Sequence, residues 1–172
     1  MTKGADRELL RHVNVVDLKG DAPESVRVEV ETGECAVIAA RLGILSVDSL
    51  TADLELFRDL TGDVNLVGRI VADVRQVCVV TLDPVAQHVE SSIFQRFSGQ
   101  NDEEEEGEDE DPVEPIVEGE IEVGDVIVQN LALALDPYPR APGAEFEEVD
   151  DEAGKPTGPF AALAALREEP DK

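Results

Sequence analysis

Alternating hydrophobic and polar residues predict strands through the first hundred residues of the chain. Valines alternate with charged residues over 26–30, which is the period of a half-buried strand. The same spacing returns over residues 50–56 and 64–74, and hydrophobic residues occupy one face of a longer strand over 85–97. A shorter apolar segment, 10–16, precedes them. Together these segments predict an antiparallel sheet of about five strands.

Single residues indicate where one helix begins and ends and where one strand is interrupted. Thr32 is expected to cap the N-terminus of a helix between the second and third strands. Residues 36–42 are mostly apolar, and Gly43 can adopt the left-handed conformation at which helices often end. Gly68 interrupts a later strand, where it indicates either a β-bulge or a close approach of two backbones.

Acidic segments separate the structured segments of the second half. Nine of the ten residues from Asp102 to Asp111 are acidic, which predicts a disordered loop. Residues 116–123 then predict a strand, and Asp125 is expected to cap a helix that ends before Pro137. The prediction is an α+β fold with one helix packed on the sheet, a C-terminal strand–helix unit and an acidic disordered loop. Its segments are an α+β core over 8–99, an acidic linker over 100–114, a strand–helix unit over 115–140, an acidic flexible segment over 141–157 and a C-terminal helix over 158–168.

The strong negative charge of the chain disfavours direct binding to nucleic acid. The 172 residues include 40 Asp and Glu against 14 Lys and Arg, a net charge of −26, and residues 101–172 hold 24 of these acids and four of the bases. A polyanion repels phosphate backbones. Aromatic residues make up 3% of the chain, which disfavours a stacking platform for single-stranded nucleic acid. The composition favours a basic protein partner over direct nucleic-acid binding, and the alternative is that the acidic residues only keep the protein soluble.

The residue types that usually carry catalysis or bind metal form no recognisable motif. His12, Cys35, Cys78 and His88 lack the close pair spacing of zinc ligands. The glycines form no phosphate-binding pattern. We therefore predict no catalytic residue, no metal and no cofactor. A hydrolase or isomerase with an unrecognised site is the enzymatic alternative.

Both cysteines are interpreted as reduced, packed thiols of a cytosolic protein. Cys78 lies within the apolar segment 77–80, where a buried thiol is typically inert. Cys35 falls in the first turn of the predicted helix, where the helix dipole would lower its pKa. The chain shows neither the apolar run of a signal peptide nor the ~20 apolar residues of a membrane helix. A cytoplasmic location without a membrane contact is expected.

Three segments occur in a characteristic order. They are RQVCVVTLDP at 75–84, PIVEGEIEVGD at 115–125 continuing to DPYPR at 136–140, and GPFAALAAL at 158–166. In this order they resemble the YceD family of large ribosomal RNA accumulation proteins. The segments AARLG at 39–43 and DSL at 48–50 fit as well, and they resemble the alphaproteobacterial branch in particular. Many members have two cysteines, three positions apart, in the first segment. Arg75 takes the place of the first of these, so only Cys78 matches.

The resemblance implies a role in the synthesis, processing or stability of large-subunit ribosomal RNA, and it implies no enzymatic activity. Together with the acidic half, it predicts a non-enzymatic ribosome-assembly factor that binds a basic ribosomal protein or a pre-ribosomal particle. The alternative is direct RNA binding through Arg69, Arg75 and Arg96 on predicted strands. On the plainer interpretation these arginines are solvent-facing charges that pair with Asp73 and Glu90.

The candidate partner-binding site is the turn after the second predicted helix. It consists of Asp136, Pro137, Tyr138, Pro139 and Arg140. Two prolines make the turn rigid, and Tyr138 is the only tyrosine in the chain, so the turn would present an interface anchor at little entropic cost. The alternative is structural: the prolines end the helix and Tyr138 packs over the sheet edge.

Overall fold

The computed structural model describes residues 9–16, 18, 22–99 and 113–145. The predicted acidic loop at 102–111, the predicted helix at 158–168 and most of the predicted flexible segment at 141–157 lie outside the described residues. The elements are β1 (His12–Asn14), β2 (Glu24–Glu29), α1 (Thr32–Leu42), β3 (Ser46–Arg58), β4 (Val64–Val77), β5 (Pro84–Ser98), β6 (Val113–Pro115), β7 (Glu120–Glu122) and α2 (Val123–Ala134).

A five-stranded sheet in the order β2-β3-β4-β5-β6 forms the centre of the fold. Strands β2 to β5 are joined antiparallel, and β6 runs parallel to β5. The predicted α+β class and the sheet of about five mostly antiparallel strands are therefore confirmed. Long alternation over β3, β4 and β5 made these strands recognisable, because each buries one face and exposes the other.

The two ends of the predicted sheet differ from the expectation. The segment at 10–16 contributes β1, which pairs with β7 in a separate two-stranded sheet through Val13 and Ile121. The fifth strand of the main sheet is instead β6. The predicted strand at 116–123 contributes only β7, since Glu118 and Gly119 both have positive φ and turn the chain just before it. Three-residue strands carry too little alternation to be recognised from sequence.

Both helices pack against the sheet. Helix α1 lies against β3, and α2 lies against β5 and β4. Ile38 of α1 and Ile127 and Leu131 of α2 are fully buried in one hydrophobic core with the inward-facing residues of the strands. Burying each such side chain stabilises the fold by about 1.5–3 kcal/mol. This packing fixes where α2 ends, and with it the position of the turn at 136–140.

The helix caps differ in detail from the prediction. Helix α1 begins at Thr32, but its N-cap is Glu31, whose N–H donates to the Glu34 carboxylate at 3.1 Å. Gly43 ends α1 in the left-handed conformation with φ 66°, as predicted. Asp125 lies in the first turn of α2 and is not its N-cap. Strand β7 leads directly into α2, and the N–H of Val123 donates to the Arg11 carbonyl at 2.8 Å.

Gly68 marks a close backbone approach. The pairing of β3 with β4 keeps its register at this position, and its one irregularity falls between residues 47 and 49. A Cβ at Gly68 would meet the carbonyl oxygen of Asp53 and would lie 2.7 Å from Cδ2 of Leu54. The absence of a side chain therefore lets β3 and β4 pair closely while Leu54 fills the space over the glycine.

We expect Gly68→Ala to lower the free energy of unfolding by about 1–3 kcal/mol, because the new methyl group must displace Leu54 or the strand backbone. Gly33→Ala is the matched control. Nothing lies within 4 Å of a Cβ at Gly33, and alanine favours the helix that contains it. Chemical denaturation of both variants measures the difference. Equal stabilities of the two variants would contradict the close approach.

Candidate partner-binding site

The turn proposed as a partner-binding site lies against the connection between β4 and β5. We call residues 78–83 the β4–β5 turn and residues 136–141 the post-helix segment. Helix α2 ends at Ala134, and the N–H of Leu135 still donates to the Leu131 carbonyl. The chain then crosses to the end of the sheet where β4 passes into β5.

Hydrogen bonds fix the post-helix segment to this end of the sheet. The N–H of Val79 donates to the carbonyl of Pro139 at 2.9 Å. The side chain of Gln76 donates to the carbonyl of Asp136 at 3.0 Å, and the N–H of Ala141 donates to the sulfur of Cys78 at 3.2 Å. The segment is therefore fixed near its start, its middle and its end.

Tyr138 projects outward from this rigid segment. Its N–H donates to the side-chain carboxylate of Asp136 at 2.9 Å, which closes a small turn, and prolines on either side restrict the backbone. Pro139 is buried, whereas Tyr138 is 71% exposed. The structural alternative required the ring to pack over the sheet edge. The exposure of Tyr138 disagrees with that alternative. Its role in binding a partner stays a prediction.

Cys78 occupies a polar position in the β4–β5 turn. The sequence placed it inside an apolar strand, but β4 ends at Val77. The side chain is fully buried, and its sulfur accepts hydrogen bonds from the N–H groups of Val80 at 3.4 Å and Thr81 at 3.3 Å, in addition to that of Ala141. The prediction of ordinary apolar packing is therefore wrong, although the prediction of burial is confirmed.

These hydrogen bonds favour the thiolate. The Thr81 side chain, followed by the N–H groups of Thr81 and Ala141, lowers the pKa of Cys78 from 9.0 to about 6, against the opposing effect of burial. The sulfur of Cys78 is the acceptor that links the β4–β5 turn to the post-helix segment. Charge-assisted hydrogen bonds of this kind are stronger than neutral ones.

Cys35 differs from Cys78 in both environment and charge. It is buried in the first turn of α1, within the hydrophobic core. Burial, reinforced by the Glu34 carboxylate, raises the pKa of the Cys35 thiol. The expectation that the helix dipole would lower this pKa is therefore wrong, whereas the prediction of a packed thiol is confirmed.

The outer face of the sheet carries paired charges. Arg69 bonds to Glu90 at 2.7 Å, as predicted, but Arg75 bonds to Asp48 at 2.9 Å. Asp73 is engaged by His88 at 2.8 Å. Strand register brings these side chains together, since Asp73 lies opposite His88 across β4 and β5. Arg96 lies on the same face, opposite Asn65.

His88 acquires partners that its sequence position did not indicate. Its second ring nitrogen lies 3.4 Å from Glu90. The hydrogen bonds with Asp73 and then with Glu90 raise the pKa of His88 above its ordinary value, and they lower the pKa of both carboxyl groups. His12 lies 3.6 Å from Glu120 across β1 and β7. These exposed pairs are ordinary surface charges of a sheet.

The described residues include no metal-binding cluster and no helix that could span a membrane. In that part of the chain, no three His, Cys, Asp or Glu side chains are grouped so that they could hold a metal ion. Neither of the two described helices is long and apolar enough to cross a membrane.

Comparison with known proteins identifies one family. The family model described as "Large ribosomal RNA subunit accumulation protein YceD" matches residues 66–167. The matched region is more than half of the chain and includes both the β4–β5 turn and the post-helix segment. No curated protein and no solved structure matches the chain.

The lowered pKa of Cys78 should make the free energy of unfolding depend on pH. Because the pKa of Cys78 is about 6 in the folded protein and 9.0 is its ordinary value, the unfolded chain binds more protons between these limits. We expect the stability difference between wild type and Cys78→Ala to grow from pH 6 to pH 9, and to level off below the folded-state pKa at the pH-independent cost of removing a buried side chain. Denaturation at several pH values measures this difference.

Cys35→Ala is the matched control, since Cys35 is equally buried but has a raised pKa. Its stability difference from wild type should stay level up to the ordinary thiol pKa and fall above it. A level difference for Cys78→Ala across the same window would show that Cys78 is not a thiolate in the folded protein.

Proposed function

This chain belongs to the YceD family of large ribosomal RNA subunit accumulation proteins, and from that premise we propose that it is a non-enzymatic assembly factor that binds a basic ribosomal protein. Membership of the family connects the chain with accumulation of large-subunit ribosomal RNA. The class of partner and the absence of catalysis are our inferences. We also infer that it acts in the cytoplasm, where bacterial ribosomes assemble. We propose in addition that the chain is divided into an α+β core over residues 8–99 and a strand–helix unit over residues 115–140.

The observation that carries the proposal is the charge distribution. A net charge of −26, with 24 acids in residues 101–172, produces a strong negative potential. Such a potential speeds association with Lys- and Arg-rich proteins and opposes approach of the RNA phosphates. A Lys- and Arg-rich protein carries positive charge that RNA phosphates neutralise only once it is bound to RNA. An acidic factor would neutralise this charge until then and release its partner when RNA takes over the basic surface.

The rigid turn supports a protein partner as well. Tyr138 is exposed, and the bonds from Val79 and Gln76 hold its segment in place before any partner arrives. Binding would therefore cost little conformational entropy. Tyrosine is enriched among the residues that dominate binding energy at protein interfaces. We propose Asp136, Pro137, Tyr138, Pro139 and Arg140 as part of the docking site.

Direct RNA binding is the alternative to a protein partner. Its best candidate residues were arginines on the sheet, but Arg69 and Arg75 are already engaged by Glu90 and Asp48. Acidic side chains lie between them on the same face, including Asp73. An RNA backbone would therefore have to compete with carboxylates for each of these two guanidinium groups. These contacts support a protein partner over RNA.

Affinity purification from the native organism tests the proposal. We expect the tagged chain to recover one or more basic large-subunit proteins, and we expect that recovery to survive ribonuclease treatment. Deleting the gene should lower large-subunit ribosomal RNA relative to small-subunit RNA. Recovery that disappears with ribonuclease, together with direct retention of purified ribosomal RNA, would favour the alternative.

The acidic run gives a second prediction. Replacing residues 102–111 with glycine and serine removes nine negative charges, so association with the basic partner should slow and become less sensitive to salt. The melting temperature should stay within a few degrees of wild type. Stopped-flow binding over a range of ionic strengths measures the rate.

A variant with the same ten residues in shuffled order is the matched control. Long-range attraction depends on net charge and not on residue order, so this variant should associate at the wild-type rate. If the neutral variant also associates at the wild-type rate in low salt, the acidic run does not attract the partner.

A further inference from the structure

Exposed apolar side chains are concentrated where the β4–β5 turn meets the post-helix segment. Val79 is 45% exposed and Leu82 is 75% exposed in the turn, and Tyr138 is 71% exposed in the post-helix segment. The backbone bond from Val79 to Pro139 places the two segments side by side. Single exposed apolar residues are common on protein surfaces, but several on adjoining rigid turns indicate an interaction site.

The β4–β5 turn is fixed internally as well as to its neighbour. The N–H of Cys78 donates to the Asp83 carbonyl at 2.8 Å, and the N–H of Leu82 donates to the Cys78 carbonyl at 3.0 Å. The sulfur of Cys78 accepts N–H groups from both segments. The exposed side chains are therefore carried on a backbone whose shape is already set.

Leu82 has an unfavourable backbone conformation. Its φ is 64°, in the left-handed region that a branched side chain rarely adopts. Glycine or asparagine would occupy this position with less strain, but neither would present an apolar surface. Strained residues at an exposed position often mark functional sites. Leu82 thus combines backbone strain with an apolar side chain that is open to solvent.

We propose that the β4–β5 turn and the post-helix segment form one docking surface, with Val79, Leu82 and Tyr138 as its apolar anchors. Its occupant is a basic protein segment that carries apolar side chains of its own. The inference rests on the proposed function and extends it, because it assigns half of the docking surface to a turn outside the 136–140 site.

Charge identifies this occupant. The β4–β5 turn and the post-helix segment contain two carboxylates, on Asp83 and Asp136, against the single guanidinium of Arg140. A second copy of the chain would bring a further charge of −26, and RNA would bring phosphates; both are repelled. A cationic segment complements the acidic rim while its apolar side chains cover the anchors.

Leu82→Asn separates docking from folding. Asparagine tolerates positive φ, so the variant should melt at or above the wild-type temperature while losing the apolar anchor. We expect its binding, and that of Tyr138→Ala, to fall by roughly tenfold, the effect of removing a central anchor from an interface. The probe is the mixture of basic proteins extracted with salt from purified large ribosomal subunits, and quantitative mass spectrometry measures the proteins retained.

Leu60→Asn is the matched control. Leu60 is a fully exposed leucine at the opposite end of the sheet, in the turn between β3 and β4. This variant should bind like wild type. If Leu82→Asn and Tyr138→Ala also bind like wild type, the docking surface is wrong while the proposed function stands.

Other outcomes overturn the inference in different ways. If wild type retains none of the extracted proteins, the proposed class of partner fails and the docking surface fails with it. If Leu82→Asn abolishes self-association in sedimentation experiments, a second copy is the occupant. If it abolishes retention of purified large-subunit ribosomal RNA, the surface binds nucleic acid. Both of these results contradict a basic protein occupant.

Discussion

Hydrogen bonds between the β4–β5 turn and the post-helix segment hold the candidate site together. The N–H of Ala141 reaches the sulfur of Cys78 across 63 positions of sequence, and the N–H of Val79 reaches the carbonyl of Pro139. Neither turn has a hydrophobic core of its own. Each depends on the other, and both depend on α2, whose buried face fixes where the chain leaves the helix. The geometry of the exposed side chains follows from these contacts.

Rigidity and charge serve different parts of the proposed function. The acidic half of the chain provides attraction that acts over about a Debye length, ~8 Å at physiological ionic strength, and needs no defined shape. The joined turns provide a surface whose shape is set before binding, where Leu82 and Tyr138 can be covered by a partner. Long-range attraction raises the rate of encounter, and buried apolar contacts slow dissociation. The proposed function uses both, because the factor must find a basic protein quickly and then hold it until RNA takes over the basic surface.

Much of the fold could be predicted from the sequence, because β3, β4 and β5 bury one face and expose the other over most of their length. Gly43 ended α1 as its position indicated. The pairing of β1 with β7 could not be predicted, since three-residue strands have no usable period. The environment of Cys78 was also hidden: its apolar neighbours indicate a core position, whereas backbone N–H groups surround its sulfur. Leu82 gave no signal either, because strain at a leucine appears only in the backbone angles.

Photo-crosslinking from position 138 in living cells tests whether a basic protein docks on the two joined turns. A photoreactive phenylalanine analogue in place of Tyr138 would retain an aromatic ring on an exposed, rigid turn and would capture whatever lies against it. The account predicts a crosslink to a basic protein of the large ribosomal subunit, lost when Leu82 is changed to Asn and kept when Leu60 is changed to Asn. Crosslinks to ribosomal RNA, or to a second copy of the chain, would contradict it.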